Sequence, residues 1–246
     1  MKLNCDMGES FGAWQMGNDH AVMPWIDQAN IACGFHASDP DVMAQTVSWA
    51  ISHHVEIGAH PGYEDKVGFG RRSIPHSLTS ITRLVAYQVG ALDALCQIQN
   101  IHVAYIKPHG ALYNDMMANA AIFEAIVEAV AGLNQARHVK LKLMVLARAD
   151  NSEYLNIAKR YDVELLQEAF ADRAYDDVGT LVPRTESGAV YHDATMIKQQ
   201  VIELAEGRVT TVSGKTLLLH ADTVCVHGDN DESIVTIAAL HKVLNP

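Results

Sequence analysis

Short apolar runs alternate with longer helical stretches along almost the whole chain, and this alternation constrains the fold more than any other feature. "KLNCD" (2–6) leads through a loop to "QANIACGF" (28–35). A helical stretch from Pro40 to His54, with Asp39 placed as its N-cap, precedes "VEIGAH" (55–60). A long helix over about 77–99 precedes "HVAYIKPHG" (102–110), and another over about 115–133 precedes "KLKLMVLA" (140–147). A helix at about 150–160 precedes "VELLQEAFAD" (163–172), and "DTVCVHGD" (222–229) feeds a last helix ending near Leu244. Strands alternating with helices predict a parallel α/β fold. Seven strands in 246 residues point to a seven-stranded β/α barrel of TIM-like form rather than an open sheet. No GxGxxG follows the first strand, which argues against a dinucleotide-binding sheet.

Two segments break the alternation. "GTLVPRTESGAV" (179–190) reads as strand-turn-strand, and "RVTTVSGKTLLLH" (208–220) carries a Ser213-Gly214 turn between short β-like runs. Both are expected to be hairpin insertions within a single barrel domain spanning 1–246. Low-complexity linkers and internal repeats are absent from the sequence.

A hydrophobic share of 49% against 19% charged residues fits a globular enzyme with a buried core. The formal net charge of −11 argues against nucleic acid or an anionic membrane surface as a partner. Cys5, Cys33, Cys96 and Cys225 form no CxxC pair and no zinc-ribbon spacing. Three of them lie in apolar strand-like runs, where cysteine serves as a small buried hydrophobe. The N-terminus "MKLNCDMGES" has no apolar leader, and no run approaches the ~20 apolar residues of a membrane span. A cytoplasmic protein with reduced thiols is expected. Self-association into a homo-oligomer stays open.

Polar residues collect where strands end. His36, His60, His109 and His227 each close an apolar run and are followed by a small or turn-forming residue. Asn4 and Asp6 are two apart in the first strand and share a face; Lys107 and His109 are also two apart, around Pro108. In a β/α barrel the C-terminal strand ends gather in one mouth, so these residues converge although they are distant in sequence. Any one of the histidines is more simply a strand cap bonded to a loop. Four of them, together with Asp6 and Lys107, make a shared site the better reading.

Two chemistries fit this set. A carboxylate with several imidazoles suits a divalent metal such as zinc, with Asp6, His36 and His60 as candidate ligands. HxxxH and HExxH are absent, however, and the adjacent His53 and His54 cannot share a helical face. Metal-free hydrolysis is the alternative, with Asp6 or a histidine activating water and Lys107 stabilising charge on a carbonyl oxygen. A serine nucleophile is disfavoured because the chain has no G-x-S-x-G elbow.

In "VGFGRRSIP" (67–75), Arg71 and Arg72 follow two glycines, in a loop suited to a carboxylate or phosphate or else paired with nearby acids. Arg173 in "FADRAYDD" (170–177) either holds substrate or pairs with an acid. "GESFG" (8–12) has glycines, but neither it nor any other stretch is a GxxxxGK[ST] phosphate loop.

Six stretches together resemble the LamB/YcsF family, whose members are described as the A subunit of 5-oxoprolinase. They are "LNCDMGESFG" (3–12), "NIACGFHASDP" (30–40), "GAHPGYEDKVGFGRR" (58–72), "KPHGALYN" (107–114), "EAFADRAYDDVGTLVPR" (168–184) and "VCVHGDN" (224–230). They come in the family's order and extend over nearly the whole chain. Cys5 and Met7 stand where small or aliphatic residues are commoner, and Ser38 stands where glycine is usual.

The resemblance implies a barrel similar to the glycoside hydrolase/deacetylase type. It also implies ATP-dependent opening of 5-oxoproline (pyroglutamate) to L-glutamate, carried out with partner subunits B and C. ATP is then expected to be handled largely by those partners. Carried onto this chain, the expected catalytic residues are Asp6, Lys107, His109 and His60. Asn4, His36, Arg71, Arg72, Arg173 and His227 are expected to bind substrate. Asp6 with a histidine would activate water, Lys107 would stabilise the charged oxygen, and His109 would protonate the departing nitrogen. The rival expectations are a metal-dependent amide or carbohydrate deacetylase and a non-catalytic substrate-binding subunit.

Overall fold

In the computed structural model, which describes residues 1–228 and 230–245, seven parallel strands close into a barrel. They are β1 (Lys2–Met7), β2 (Gln28–Ala32), β3 (Glu56–His60), β4 (Tyr105–Ile106), β5 (Lys142–Leu146), β6 (Leu165–Phe170) and β9 (Thr223–Val226), paired in that order, with β9 closing onto β1. Asp229, at the end of the last expected strand, lies outside the described residues, as does Pro246. The helices are α1 (Asp19–Val22), α2 (Pro40–Ser52), α3 (Leu78–Ile98), α4 (Gly110–Ala118), α5 (Ala120–Asn134), α6 (Ser152–Arg160), α7 (Ala194–Ala205) and α8 (Asp231–Leu244). Asp39 caps α2 as the sequence predicts, accepting from the backbone N–H of Asp41 and Val42.

Strands covered on both faces should read as continuous apolar runs. Several here carry buried polar residues instead: Asn4, Gln28, Asn30, Glu168 and Thr223. Register explains how some of them meet. Asp6 pairs with Asn30, Asn30 with Gly58, and Gly58 with Tyr105, so one layer of the barrel mixes polar side chains with an aromatic ring. Gly58 makes that layer fit, because a Cβ there would lie 2.1 Å from the Tyr105 ring. The ring's hydroxyl donates to Asn30 Oδ1 at 2.7 Å.

Four local features differ from the sequence reading. The strand expected over 102–110 is only two residues long, since Pro108 has no N–H to give. Backbone pairing to the β3 side nevertheless continues, with Lys107 N–H donating to Ala59 O at 2.9 Å and His109 N–H to Pro61 O at 2.8 Å. The helix expected from about 115 begins at Gly110 and is broken at Asn119, whose extended backbone ends α4 and whose side chain caps α5. Helix α7 has no counterpart in the sequence reading; Asp193 caps it, and it buries Val201 and Leu204. Lastly, no ladder forms within 179–190. That segment folds back on residues before it, through single bridges from Val190 to Arg173 and from Leu181 to Tyr175. The other expected hairpin is an antiparallel pair, β7 (Arg208–Thr210) with β8 (Thr216–Leu218).

All four cysteines are buried and free. Among the described residues no single helix is long and apolar enough to cross a membrane, and α4 with α5 reach that length only as a pair bent by 115°. Ser38 has φ +73°, the left-handed region, which explains why glycine suits that position.

Candidate active site

The strand ends converge as the sequence predicts. Lys107 lies at the centre, 3% exposed. Its ammonium donates to Asp6 Oδ1 at 2.9 Å and Asn4 Oδ1 at 3.3 Å, and lies 2.7 Å from Glu168 Oε1. It also donates to Cys225 Sγ at 3.3 Å, so its three N–H donors go to Asp6, Asn4 and Cys225 while Glu168 adds charge at close range. Burial opposes its charge, but Asp6, then Cys225 and Glu168, outweigh that and hold its pKa well above the ordinary value. Asn4 is equally committed: its amide donates to Thr223 Oγ1 at 3.0 Å and its oxygen accepts from Asn30 and Lys107. Both side chains are buried and spend these bonds inside the barrel.

Asp6 shares its oxygens differently. Oδ1 accepts from Lys107 and from Asn30 Nδ2 at 2.8 Å, while Oδ2 lies 3.3 Å from His60 Nε2. Burial raises its pKa, yet His60 and Lys107 more than reverse this, so the carboxylate stays ionised well below the usual range.

Three imidazoles form the second part of the site. His60 Nδ1 donates to Lys107 O at 2.7 Å, and His109 Nε2 donates to Phe69 O at 2.8 Å. Those carbonyls fix both tautomers, leaving His60 Nε2 and His109 Nδ1 as acceptors 2.9 Å apart. His36 stacks on His109 with ring centroids 3.7 Å apart, and both its nitrogens are buried without a hydrogen bond. Glu9 Oε1 lies 3.4 Å from His36 Nε2 and 3.4 Å from His109 Nδ1. Burial, then the neighbouring imidazoles, holds His36 well below the ordinary value and His109 down at about 3. His109 is therefore a neutral ring without a proton on the nitrogen that faces the site.

A third part of the site also adjoins Asp6. His227 Nδ1 donates to Asp172 Oδ2 at 2.8 Å. Burial lowers the pKa of His227, but that bond and the charges of Asp172 and Asp6 leave it above the ordinary value. Ligand atoms of Asp6, Cys225 and His227 lie within 4.8 Å of one another. Exposure decides which groups a small molecule can reach. The side chains of Asp6, Glu9 and His227 are 20%, 16% and 24% exposed, while those of His36, His60 and His109 are at most 6%. A small cavity reaches Asp6 and Glu9, with Met16, Gly17, Asn18, Asp19 and Gly228 also on its walls.

The arginines are placed unequally. Arg71 leans over the Phe69 ring at 5.1 Å and stays exposed beside the His109 loop. Arg72 is paired with Asp65. Arg173 is buried, with Nε donating to Ala189 O at 3.3 Å and Nη2 to Val182 O at 2.6 Å, so it ties down the 173–190 segment.

The LamB/YcsF family model matches residues 1–246. The chain belongs to the LamB/YcsF family. Among its relatives, the A subunit of 5-oxoprolinase from Vibrio campbellii is 58% identical over 245 residues, covering 99% of this chain and 95% of that one. The corresponding A subunit from Vibrio vulnificus is 56% identical over 243 residues, covering 98% and 96%. The crystal structure of a lactam utilization protein from Thermus thermophilus superposes with a TM-score of 0.91 at 34% identity, covering 100% and 96%. A chitinase from Ipomoea carnea, 9% identical with a TM-score of 0.50, shares the barrel fold alone.

Three site residues of this LamB/YcsF chain escape the sequence reading. Glu9 reads there only as part of a glycine-containing loop. Asp172 stands beside Arg173 without a partner. Glu168 sits mid-strand in "LLQEAF", and an acid in an otherwise apolar strand is itself the signal that could have found it.

Proposed function

We propose that this chain is the hydrolytic subunit of an ATP-dependent 5-oxoprolinase, opening 5-oxoproline to L-glutamate with partner subunits B and C. The names of its relatives support the substrate class. The observation that carries the chemistry is Asp6, an ionised carboxylate with one oxygen locked by Lys107 and Asn30 and the residue open to the mouth.

A lactam is a stable amide, so ATP is used to phosphorylate its oxygen and make the ring carbon electrophilic. The lack of a phosphate loop in this chain is compatible with that step being carried out largely by the partner subunits. Water then adds to the ring carbon, Asp6 takes its proton, and the C–N bond breaks. The departing nitrogen takes a proton from His227, which Asp172 orients and keeps basic. A second water hydrolyses the remaining acyl phosphate, giving glutamate, ADP and phosphate in all. His227 replaces His109 as proton donor, because His109 carries no proton on its inward nitrogen. Lys107 and Asn4 act by fixing Asp6 rather than by touching substrate, and Arg71 is the rim cation for the substrate's carboxylate. ATP use fits a cytoplasmic setting.

The three-imidazole cluster favours a second reading, a metal-dependent amide or carbohydrate deacetylase. One assay separates the two. The chain with subunits B and C should form glutamate from 5-oxoproline with ATP hydrolysis, and Asp6→Asn should lose about 10²–10⁴-fold of that rate. Wild-type turnover by Asp6→Asn removes the carboxylate from the mechanism. ATP-independent release of acetate from an N-acetyl sugar selects the deacetylase.

A further inference from the structure

We infer that Glu9, His36, His60 and His109 bind one divalent transition-metal ion through Glu9 Oε1, His36 Nε2, His60 Nε2 and His109 Nδ1. The sequence reading places Asp6 among the candidate ligands. The structure keeps His36 and His60 from that expectation and groups them with Glu9 and His109, all four ligand atoms lying within 4.8 Å of one another.

Tautomers supply the first argument. The outer ring nitrogens of His60 and His109 donate to backbone carbonyls at 2.7 and 2.8 Å, which leaves two lone pairs facing across 2.9 Å. Two acceptors held at that distance repel unless a cation stands between them. An outer N–H bonded to a carbonyl is also how metal-binding histidines are generally oriented.

Burial and shape supply the second. His36 is 1% exposed, and neither of its nitrogens has a hydrogen-bond partner. A buried imidazole without partners is costly unless a ligand satisfies it. The ring is held in place by glycines: a Cβ on Gly62 would fall 2.7 Å from His36 Nδ1, and one on Gly70 would fall 2.7 Å from His36 Cβ and 2.8 Å from His109 Cδ2.

Distance supplies the third. Donors at about 2.05 Å from a tetrahedral zinc stand about 3.3 Å apart. The two Glu9–imidazole separations are both 3.4 Å; on loading the 2.9 Å pair must open and the His36 ring, stacked on His109, must turn so that both in-plane lone pairs meet the ion. Three imidazoles and one carboxylate select zinc, cobalt or nickel over magnesium and calcium, which prefer all-oxygen sites. Asp6 Oδ2, 3.3 Å from His60 Nε2, borders the same space.

The test is metal uptake by the purified full chain after chelation, without substrate, ATP or partner subunits. The inference therefore stands or falls apart from the lactam reading. One equivalent of Zn²⁺ or Co²⁺ should be retained, with a visible Co²⁺ absorption, a raised Tm, and no competition from excess Mg²⁺. His36→Ala and Glu9→Gln should each weaken Co²⁺ binding at least about 10-fold. Circular dichroism checks that both variants are folded, and the exposed His138→Ala should behave as wild type. Failure of the wild-type chain to retain Zn²⁺ or Co²⁺ overturns the inference, as does an unchanged Co²⁺ spectrum in folded His36→Ala. So does a proton shared between His60 and His109, seen by ¹⁵N NMR of the histidine rings in the presence of Zn²⁺.

Discussion

Lys107 Nζ stands 2.7 Å from Glu168 Oε1, with the two side chains 4% and 0% exposed. Glu168 is further held by the Tyr113 hydroxyl, which donates to Oε2 at 3.1 Å. A buried pair with this geometry contributes little against a well-packed apolar replacement, but removing one partner strands the other. Lys107→Met leaves both Glu168 and Asp6 uncompensated and should cost about 3–5 kcal/mol in urea unfolding. The double variant Lys107→Met/Glu168→Leu should recover part of that loss. If the double variant instead loses the sum of the single effects, the two charges are not coupled.

The Asp172–His227 pair predicts a pH window for stability. Folding raises the pKa of His227 and lowers that of Asp172. The histidine's contribution is full below its unfolded value of about 6.5 and is lost as pH rises through the folded value. The carboxylate's is present above its unfolded value of about 3.9 and is lost as pH falls through the folded one. The Tm gap between wild type and Asp172→Asn should therefore be widest between roughly pH 4 and 6.5. A gap that widens steadily from neutral to alkaline pH would contradict this assignment.

Two glycines should respond oppositely to alanine. At Gly58 the added Cβ would meet the Tyr105 ring at 2.1 Å, so Gly58→Ala should destabilise by at least about 1–3 kcal/mol. At Gly90, exposed in α3 with nothing within 4 Å of the added Cβ, Gly90→Ala should stabilise by roughly 0.5–1 kcal/mol. Thermal unfolding of both variants decides the matter.

Arg173 should matter for local order more than for substrate affinity. Its hydrogen bonds to Val182 O and Ala189 O hold a segment whose residues 183–188 are exposed. Arg173→Ala should speed proteolytic nicking within 183–188 severalfold, while KM for the substrate changes far less than in Arg71→Ala. A selective rise in KM in Arg173→Ala would instead place this arginine on the substrate.

The barrel and the convergence of Asp6, His36, His60, Lys107, His109 and His227 were legible because strand ends carry a clear local sign: an apolar run stopping at a polar residue. The missed parts depend on relationships with no such sign. Glu168 is acceptable mid-strand only because Lys107 and Tyr113 meet it from other strands and helices. Asp172 gains meaning only beside His227, 55 positions away. Asn119 breaks a helix that composition alone would continue, since its side chain caps a new axis. Within 179–190 the β-like residues are real, but Ala174 and Arg173 supply their pairing, so no internal hairpin forms.

Closure of the ring also fixes an order in time. Asn4 and Thr223, joined through Nδ2 and Oγ1, are 219 positions apart, so β1 must wait for almost the whole chain before its outer edge is paired. Until then the sheet has two open edges, and the ammonium of Lys107 lacks Cys225 beside it. A chain ending before Thr223 is therefore no smaller version of the protein. It is a barrel missing its last stave, with the charged interior open to water.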